Sequence, residues 1–148
     1  MKQTKPFASL EEEVILNLAR TAEYVMSRGA EVFRRADLTA TQYNALRILR
    51  GAGATGLTCG EISERMVTRD SDITRLLDRL ERRGLISRQR PENNRRVVLT
   101  RITEEGLRLL AELDAPVEES HRKLAGHLGK QRLKTLNDLL EAVRGPEG

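Results

Sequence analysis

The sequence predicts a mainly α fold with one small β-hairpin, and three observations carry that expectation. Apolar residues recur at helical spacing through most of the 148 residues. Two capping-box spacings, Thr39-Ala-Thr-Gln42 and Thr58-Cys-Gly-Glu61, mark where short helices open. Between Leu85 and Ile102 the helical period gives way to β-branched runs around Pro91-Glu92-Asn93-Asn94, whose residue types favour a turn.

Taken in order, Ser9 to about Arg34 reads as one long helix. Leu10, Val14, Leu18, Ala22, Val25 and Gly29 form its stripe, widened by Ile15, Ala19, Met26 and Phe33. Glu11, Glu12 and Glu13 suit the positive end of the helix dipole, and Arg34 and Arg35 the negative end. Such a helix, ~25 residues against a usual 10–14, points to packing on a partner as well as on its own chain. Thr39 caps a helix with Tyr43, Leu46, Ile48 and Leu49 inward, ended by Gly51-Ala-Gly-Ala-Thr-Gly56. Thr58 opens a short helix through Met66. Asp70 or Ser71 caps the next, which buries Ile73, Leu76, Leu77 and Leu80 and stops at Gly84, a natural C′ residue. Leu85 to Arg90 and Arg95 to Ile102 are the arms of the hairpin. Thr103 begins a helix with Leu107, Leu110 and Leu113 on one side. Pro116 kinks or restarts it, and Val117, Leu124 and Leu128 continue its stripe. Leu133, Leu136, Leu139, Leu140 and Val143 mark a last helix.

The composition excludes several classes. There is no run of ~18 apolar residues and no basic-then-apolar leader, so neither a membrane span nor a secretory signal is expected. One cysteine, Cys59, can form neither an internal disulfide nor a zinc knuckle, which argues for a reducing, cytoplasmic home. At the second position of a helix Cys59 would feel the helix-end field, but a small half-buried filler is its simpler role. Gly51-x-Gly53-x-x-Gly56 has the letters of a dinucleotide fingerprint, yet it follows a helical segment and no βαβ unit surrounds it, so a flexible turn is expected. His121 and His127, six apart, would point in different directions from one helix, so no metal is expected. No Ser/His/Asp or Cys/His grouping and no distinctive carboxylate pair can be assembled, so neither an enzyme nor a cofactor is expected. With no Trp, two Tyr and two Phe, base stacking cannot be the main grip on a nucleic acid.

The net charge of +4 is concentrated. From Arg65 to Arg101 eleven arginines face five acids, a net of +6, while the rest of the chain carries −2. Guanidinium forks suit phosphates and guanine edges. The two short helices are joined by Val67-Thr68-Arg69, the spacing of a helix-turn-helix. The second, expected over Asp70 to Arg83 and about 21 Å long, is long enough to lie in a major groove. Ser71, Asp72, Thr74, Arg75, Asp78, Arg79 and Arg82 face outward, with Arg75 and Arg79 on one face. An arginine-tipped hairpin after such a helix has the character of a wing able to enter a narrow minor groove.

Several segments in fixed order then carry a resemblance. They are Gln42 within Leu-Thr-Ala-Thr-Gln, Glu61-Ile62, Thr74-Arg75-Leu76-Leu77-Asp78-Arg79-Leu80-Glu81, Gly84-Leu85-Ile86, and Arg95-Arg96 ahead of Ile102-Thr103-x-x-Gly106. Together, over essentially the whole chain, they resemble the MarR family of winged helix-turn-helix regulators. The resemblance implies three parts: an N-terminal dimerisation helix (1–36), a winged helix-turn-helix DNA-binding domain (37–102) and C-terminal dimerisation helices (103–148). It implies a homodimer on a palindromic double-stranded DNA operator, with repression as the usual outcome. An architectural binder without an effector is the alternative. DNA contacts are expected from Ser71, Asp72, Thr74, Arg75 and Arg79 on the recognition helix, Arg69 before it, Arg95 and Arg96 on the wing, and Thr41 and Gln42 near the backbone. The family often binds a small aromatic or phenolic anion in the cleft beside the dimer helices. Tyr24, Met26, Tyr43 or His121 are candidates to line it, though core packing is the simpler role for each. Two departures stand out. Family wings usually carry an aspartate where this chain has Asn94, so an Asp–Arg brace is absent or replaced by a neutral hydrogen bond. The hydroperoxide-sensing branch uses a cysteine in the first helix, and this first helix has none.

Overall fold

Helices begin where a side chain satisfies the first free amides. Ser9 Oγ accepts from the Glu12 amide at 3.1 Å and opens α1 (Leu10–Arg34). Both capping boxes close reciprocally. Thr39 and Gln42 do so at 3.1 and 3.0 Å for α2 (Ala40–Ala52), and Thr58 and Glu61 at 3.2 and 2.8 Å for α3 (Cys59–Arg65). The computed structural model describes residues 5–68 and 72–146. Asp70 and Ser71 lie outside these. The described cap of α4 (Ile73–Arg82) is Asp72, whose Oδ1 accepts from the Arg75 amide at 3.2 Å. This helix therefore starts later than the sequence suggests and spans about 15 Å at 1.5 Å per residue.

The hairpin pairs β1 (Ile86–Gln89) antiparallel with β2 (Leu99–Ile102), from Ile86 opposite Ile102 to Gln89 opposite Leu99. The second arm is shorter than expected, for Arg95 and Arg96 sit in a turn. Asn94 Oδ1 accepts from the Arg96 amide at 3.2 Å, and the Arg90 guanidinium donates to the Arg95 carbonyl at 2.5 Å. These bonds curl the tip and divert it from the ladder. On the other side of β2, Leu57 and Thr100 exchange amide–carbonyl bonds of 2.9 and 2.8 Å. The glycine stretch after α2 serves this join. Gly56 is buried at φ +74°, where a Cβ would stand 2.9 Å from the Thr100 carbonyl and from Arg101 Cγ. The segment is a turn, as expected, exposed from Gly53 to Thr55 and tightly packed only at its Gly56 end.

α5 (Glu104–Ala125) opens on Thr103, whose hydroxyl accepts from the Gly106 amide at 3.1 Å and donates to the Gly84 carbonyl at 2.6 Å. Pro116 lies inside α5 and does not restart it. Leu113 and Val117 on either side are buried in the core, and that packing carries the helix past the missing amide. A 3₁₀ turn (Gly126–Leu128) leads to α6 (Gly129–Arg144).

The core forms from α2, α3, α4, the hairpin and the first half of α5, centred on Leu46, Leu49, Ile62, Leu77, Leu80 and Leu110. Neither α1 nor α6 contains a buried residue. At the hinge of α5 and the hairpin, a Cβ on Gly106 would meet the Leu85 carbonyl at 2.4 Å and Ile102 Cγ1 at 2.7 Å. Alanine is the better helix former, so any loss at this site is steric. Gly106→Ala is expected to destabilise the fold by about 1–3 kcal/mol, read as a lower urea midpoint.

Candidate nucleic-acid interface

α4 divides as its spacing requires. Leu76, Leu77 and Leu80 are buried and Ile73 half-buried, while Thr74, Arg75, Arg79 and Arg82 are exposed. Asp72 is used as the helix cap, and its carboxylate also stands 4.0 Å from the Arg75 guanidinium. Arg69 and Ser71, both expected contacts, lie outside the described residues.

Asp78 does not face outward freely. Arg88, projecting from β1, reaches Asp78 through one nitrogen and Glu81 at 3.0 and 3.2 Å, tying the exposed helix to the hairpin. The Glu81 carboxyl is held below its ordinary value, chiefly by the hydrogen bond from Arg88, and Arg88 is pushed up by its bond to Glu81. One guanidinium thereby offsets part of the charge of the two acids on α4, while Arg75, Arg79 and Arg82 stay exposed on the other side. Arg88→Met removes the cation and leaves two neighbouring carboxylates. It is expected to cost about 1–2 kcal/mol near neutral pH, since the groups are half-exposed and only part of a charged hydrogen bond is realised. A carboxyl with a lowered folded value stabilises above its unfolded value and loses that contribution as pH falls through the folded one. The difference between wild type and variant in thermal unfolding is therefore expected to shrink below about pH 4.5, the ordinary value of Glu81.

Beside the exposed face of α4 runs a basic groove lined by Arg34, Asp37, Thr39, Gln42, Arg79, Arg82 and Arg83. Arg83 is fixed there, donating to the Asp37 and Ala36 carbonyls at 2.6 and 3.0 Å, and Asp37 adopts φ +54° to present its carbonyl. The sequence assigns Arg34 only a helix-end role and gives Arg83 none, so neither is anticipated in this groove. Gln42 takes the capping role its spacing predicts: it is 8% exposed and its Oε1 accepts from the Thr39 amide. Thr41 is half-buried, exchanges a hydrogen bond of 3.0 Å with the Thr39 hydroxyl, and lines a cavity on the other side of α2. At the hairpin tip the Arg95 and Arg96 side chains are exposed. Asn94 supplies a neutral hydrogen bond, as expected, but to the Arg96 backbone.

The cavity, about 210 Å³, lies where α1, α2 and α5 meet the turn after α3. Met26, Phe33, Tyr43 and Val117 form apolar wall, and Arg47 and His121 add polar groups. Phe33 stacks on Tyr43 with ring centroids 4.2 Å apart, and Arg50 bonds both Asp114 oxygens at 3.0 Å, so α1 and α5 are each tied to α2. Met26, Tyr43 and His121 thus line the cleft as considered from sequence; Tyr24 instead lies under Arg28, 5.3 Å from its ring centre. Among the described residues no group of three or more His, Cys, Asp or Glu side chains is placed to hold a metal, and no helix is long and apolar enough to cross a membrane.

A short helix pair delivering an arginine-faced helix, braced to an arginine-tipped hairpin, defines a winged helix-turn-helix protein that binds DNA. The MarR family profile matches residues 38–98. A MarR transcription factor from Planctomyces limnophilus is 41% identical, with a TM-score of 0.71 over 93% of this chain and 99% of that one. A mutant MarR from E. coli complexed with operator DNA is 26% identical, with a TM-score of 0.80 over 92% and 99%. NadR in complex with 4-hydroxyphenylacetate is also 26% identical, with a TM-score of 0.72 over 99% of both chains. The chain belongs to the MarR family and is a DNA-binding transcription regulator.

Proposed function

We propose that this chain acts as a homodimeric, ligand-responsive repressor on a palindromic operator. The observation that carries the reading is the arginine-faced α4 held on the hairpin by Arg88, with exposed Arg95 and Arg96 at the tip. In this reading Thr74, Arg75 and Arg79 address base edges, with Arg69 and Ser71 beside them. Arg95 and Arg96 enter the minor groove, and Arg34, Arg82 and Arg83 grip phosphates along the basic groove. Thr41 and Gln42 keep their chief roles at the start of α2, where Gln42 Nε2 is the group left for a phosphate.

Three parts follow the chain: 1–36 and 103–148 pair two protomers, and 37–102 binds DNA. Exposed Leu10, Ile15, Leu139 and Val143 on α1 and α6 support that pairing, for one chain leaves them in water. Two-fold symmetry then sets the recognition helices about one DNA turn apart, ~34–36 Å.

The cavity supports an effector. An apolar cavity of about 150 Å³ accommodates benzene, so 210 Å³ suits one ring with a short polar substituent. Arg47 in the wall favours an acid or a phenol. The binding of 4-hydroxyphenylacetate by NadR is of this class. Selection of bound sequences from a random DNA pool tests the whole reading. A palindrome enriched by the purified protein is expected, with affinity falling steeply with salt as counterions are released. No enrichment, or a flat salt response, would overturn it.

A further inference from the structure

Among the described residues, the turn that carries the chain from α3 toward α4 is hydrogen-bonded to α2 through the Asn44 side chain. The Val67 amide donates to Asn44 Oδ1 at 2.8 Å. Packing fixes Met66, which is buried in the core, but not the next residue, for the Val67 side chain is 84% exposed. Five residues later the cap of α4 begins, so whatever sets Val67 and Thr68 sets the approach of the recognition helix. Asn44, Val67 and Thr68 are also three members of the cavity wall.

We infer that Asn44 is a positioning residue: it clamps the turn that delivers α4 to DNA, and an occupant of the cavity is sensed through that clamp within a single chain. The second half rests on the effector reading above; the first does not. The carboxamide has one oxygen and two N–H donors. Its oxygen is used on Val67, and among the described residues its nitrogen makes no hydrogen bond. An acid or phenol in the cavity offers that nitrogen an acceptor. It also packs against Val67 and Thr68 themselves. Either contact favours a different setting of the carboxamide and of the turn, and a ligand shifts an equilibrium only through such a difference in affinity. No change in the spacing of two protomers is needed for this step.

The test uses the full chain and the operator found by selection. Asn44→Ala is expected to weaken operator binding about five- to tenfold, the scale of one hydrogen bond. The slope of log K against log salt stays unchanged because no phosphate contact is lost. Val67→Pro removes the donor and leaves Asn44 in place. It should give the same loss, and Met66, extended at ψ 139°, suits a following proline. Asn44→Asp keeps an oxygen for the Val67 amide and should restore most of the affinity. With 4-hydroxyphenylacetate as probe, operator binding by wild type should weaken. Asn44→Ala should respond less than twofold while still binding the probe by calorimetry. Wild-type operator affinity in Asn44→Ala, a slope shallower by about one, or an undiminished response to bound probe would overturn the clamp. If the probe does not bind wild type, the effector reading falls, and the ligand-free measurements still decide the clamp.

Discussion

Arg75→Ala is expected to weaken operator binding by about 1–3 kcal/mol, roughly 5- to 150-fold, and to relax base preference at one position of each half-site. The substitution is clean. Arg75 lies on the exposed face of α4 with its side chain 71% exposed, and the cap from Asp72 uses the Arg75 backbone amide, which alanine retains. The fold should therefore be unaffected, and the loss should appear only in DNA binding. Arg96→Ala provides the contrast, since a wing arginine in the minor groove acts mainly on charge and groove width. It should weaken binding nearly evenly across sequences and make the salt slope shallower by about 0.9. Competition titrations of both variants against single-base operator changes check this. An Arg75→Ala protein with undiminished base preference would remove Arg75 from the recognition surface.

A second large effect is expected from Leu136→Asp with Leu139→Asp on α6. Within one chain these residues are 43% and 60% exposed, and α6 buries nothing. If nothing covered that face, charged residues there would change stability by less than about 0.5 kcal/mol each. If a second protomer covers it, two carboxylates would enter an apolar interface without partners, and the assembly should fail. The double variant is expected to sediment as a monomer and to lose operator affinity by more than about 100-fold, because the second half-site is no longer delivered at high effective concentration. A dimer that survives both changes would place the interface elsewhere.

Much of this architecture could be read from the residues because the signals are local. Thr39, Gln42, Thr58 and Glu61 specify two helix starts by spacing alone, and both boxes close as written. Gly84, at φ +73°, ends α4 for the same kind of reason. What escaped depends on contacts far apart in sequence. Nothing near Gly56 announces that Thr100 will stand against it, and nothing near Pro116 shows that buried Leu113 and Val117 carry α5 onward. At the interface, the exposed arginines of α4 follow from helical periodicity. The Arg88 brace and the anchoring of Arg83 on the Asp37 carbonyl cross from one element to another, and the sequence offers only unassigned arginines. The choice of Asp70 or Ser71 over Asp72 as cap reflects how closely spaced the candidates are.

The lack of any buried residue in α1 and α6 has a cellular consequence. If two protomers do pair as proposed, a freshly synthesised chain still alone would leave the start of α1 and most of α6 wet, ready to fray and open to proteases. Its lifetime would then rise with its own abundance, so halving the rate of synthesis would more than halve the amount of intact regulator.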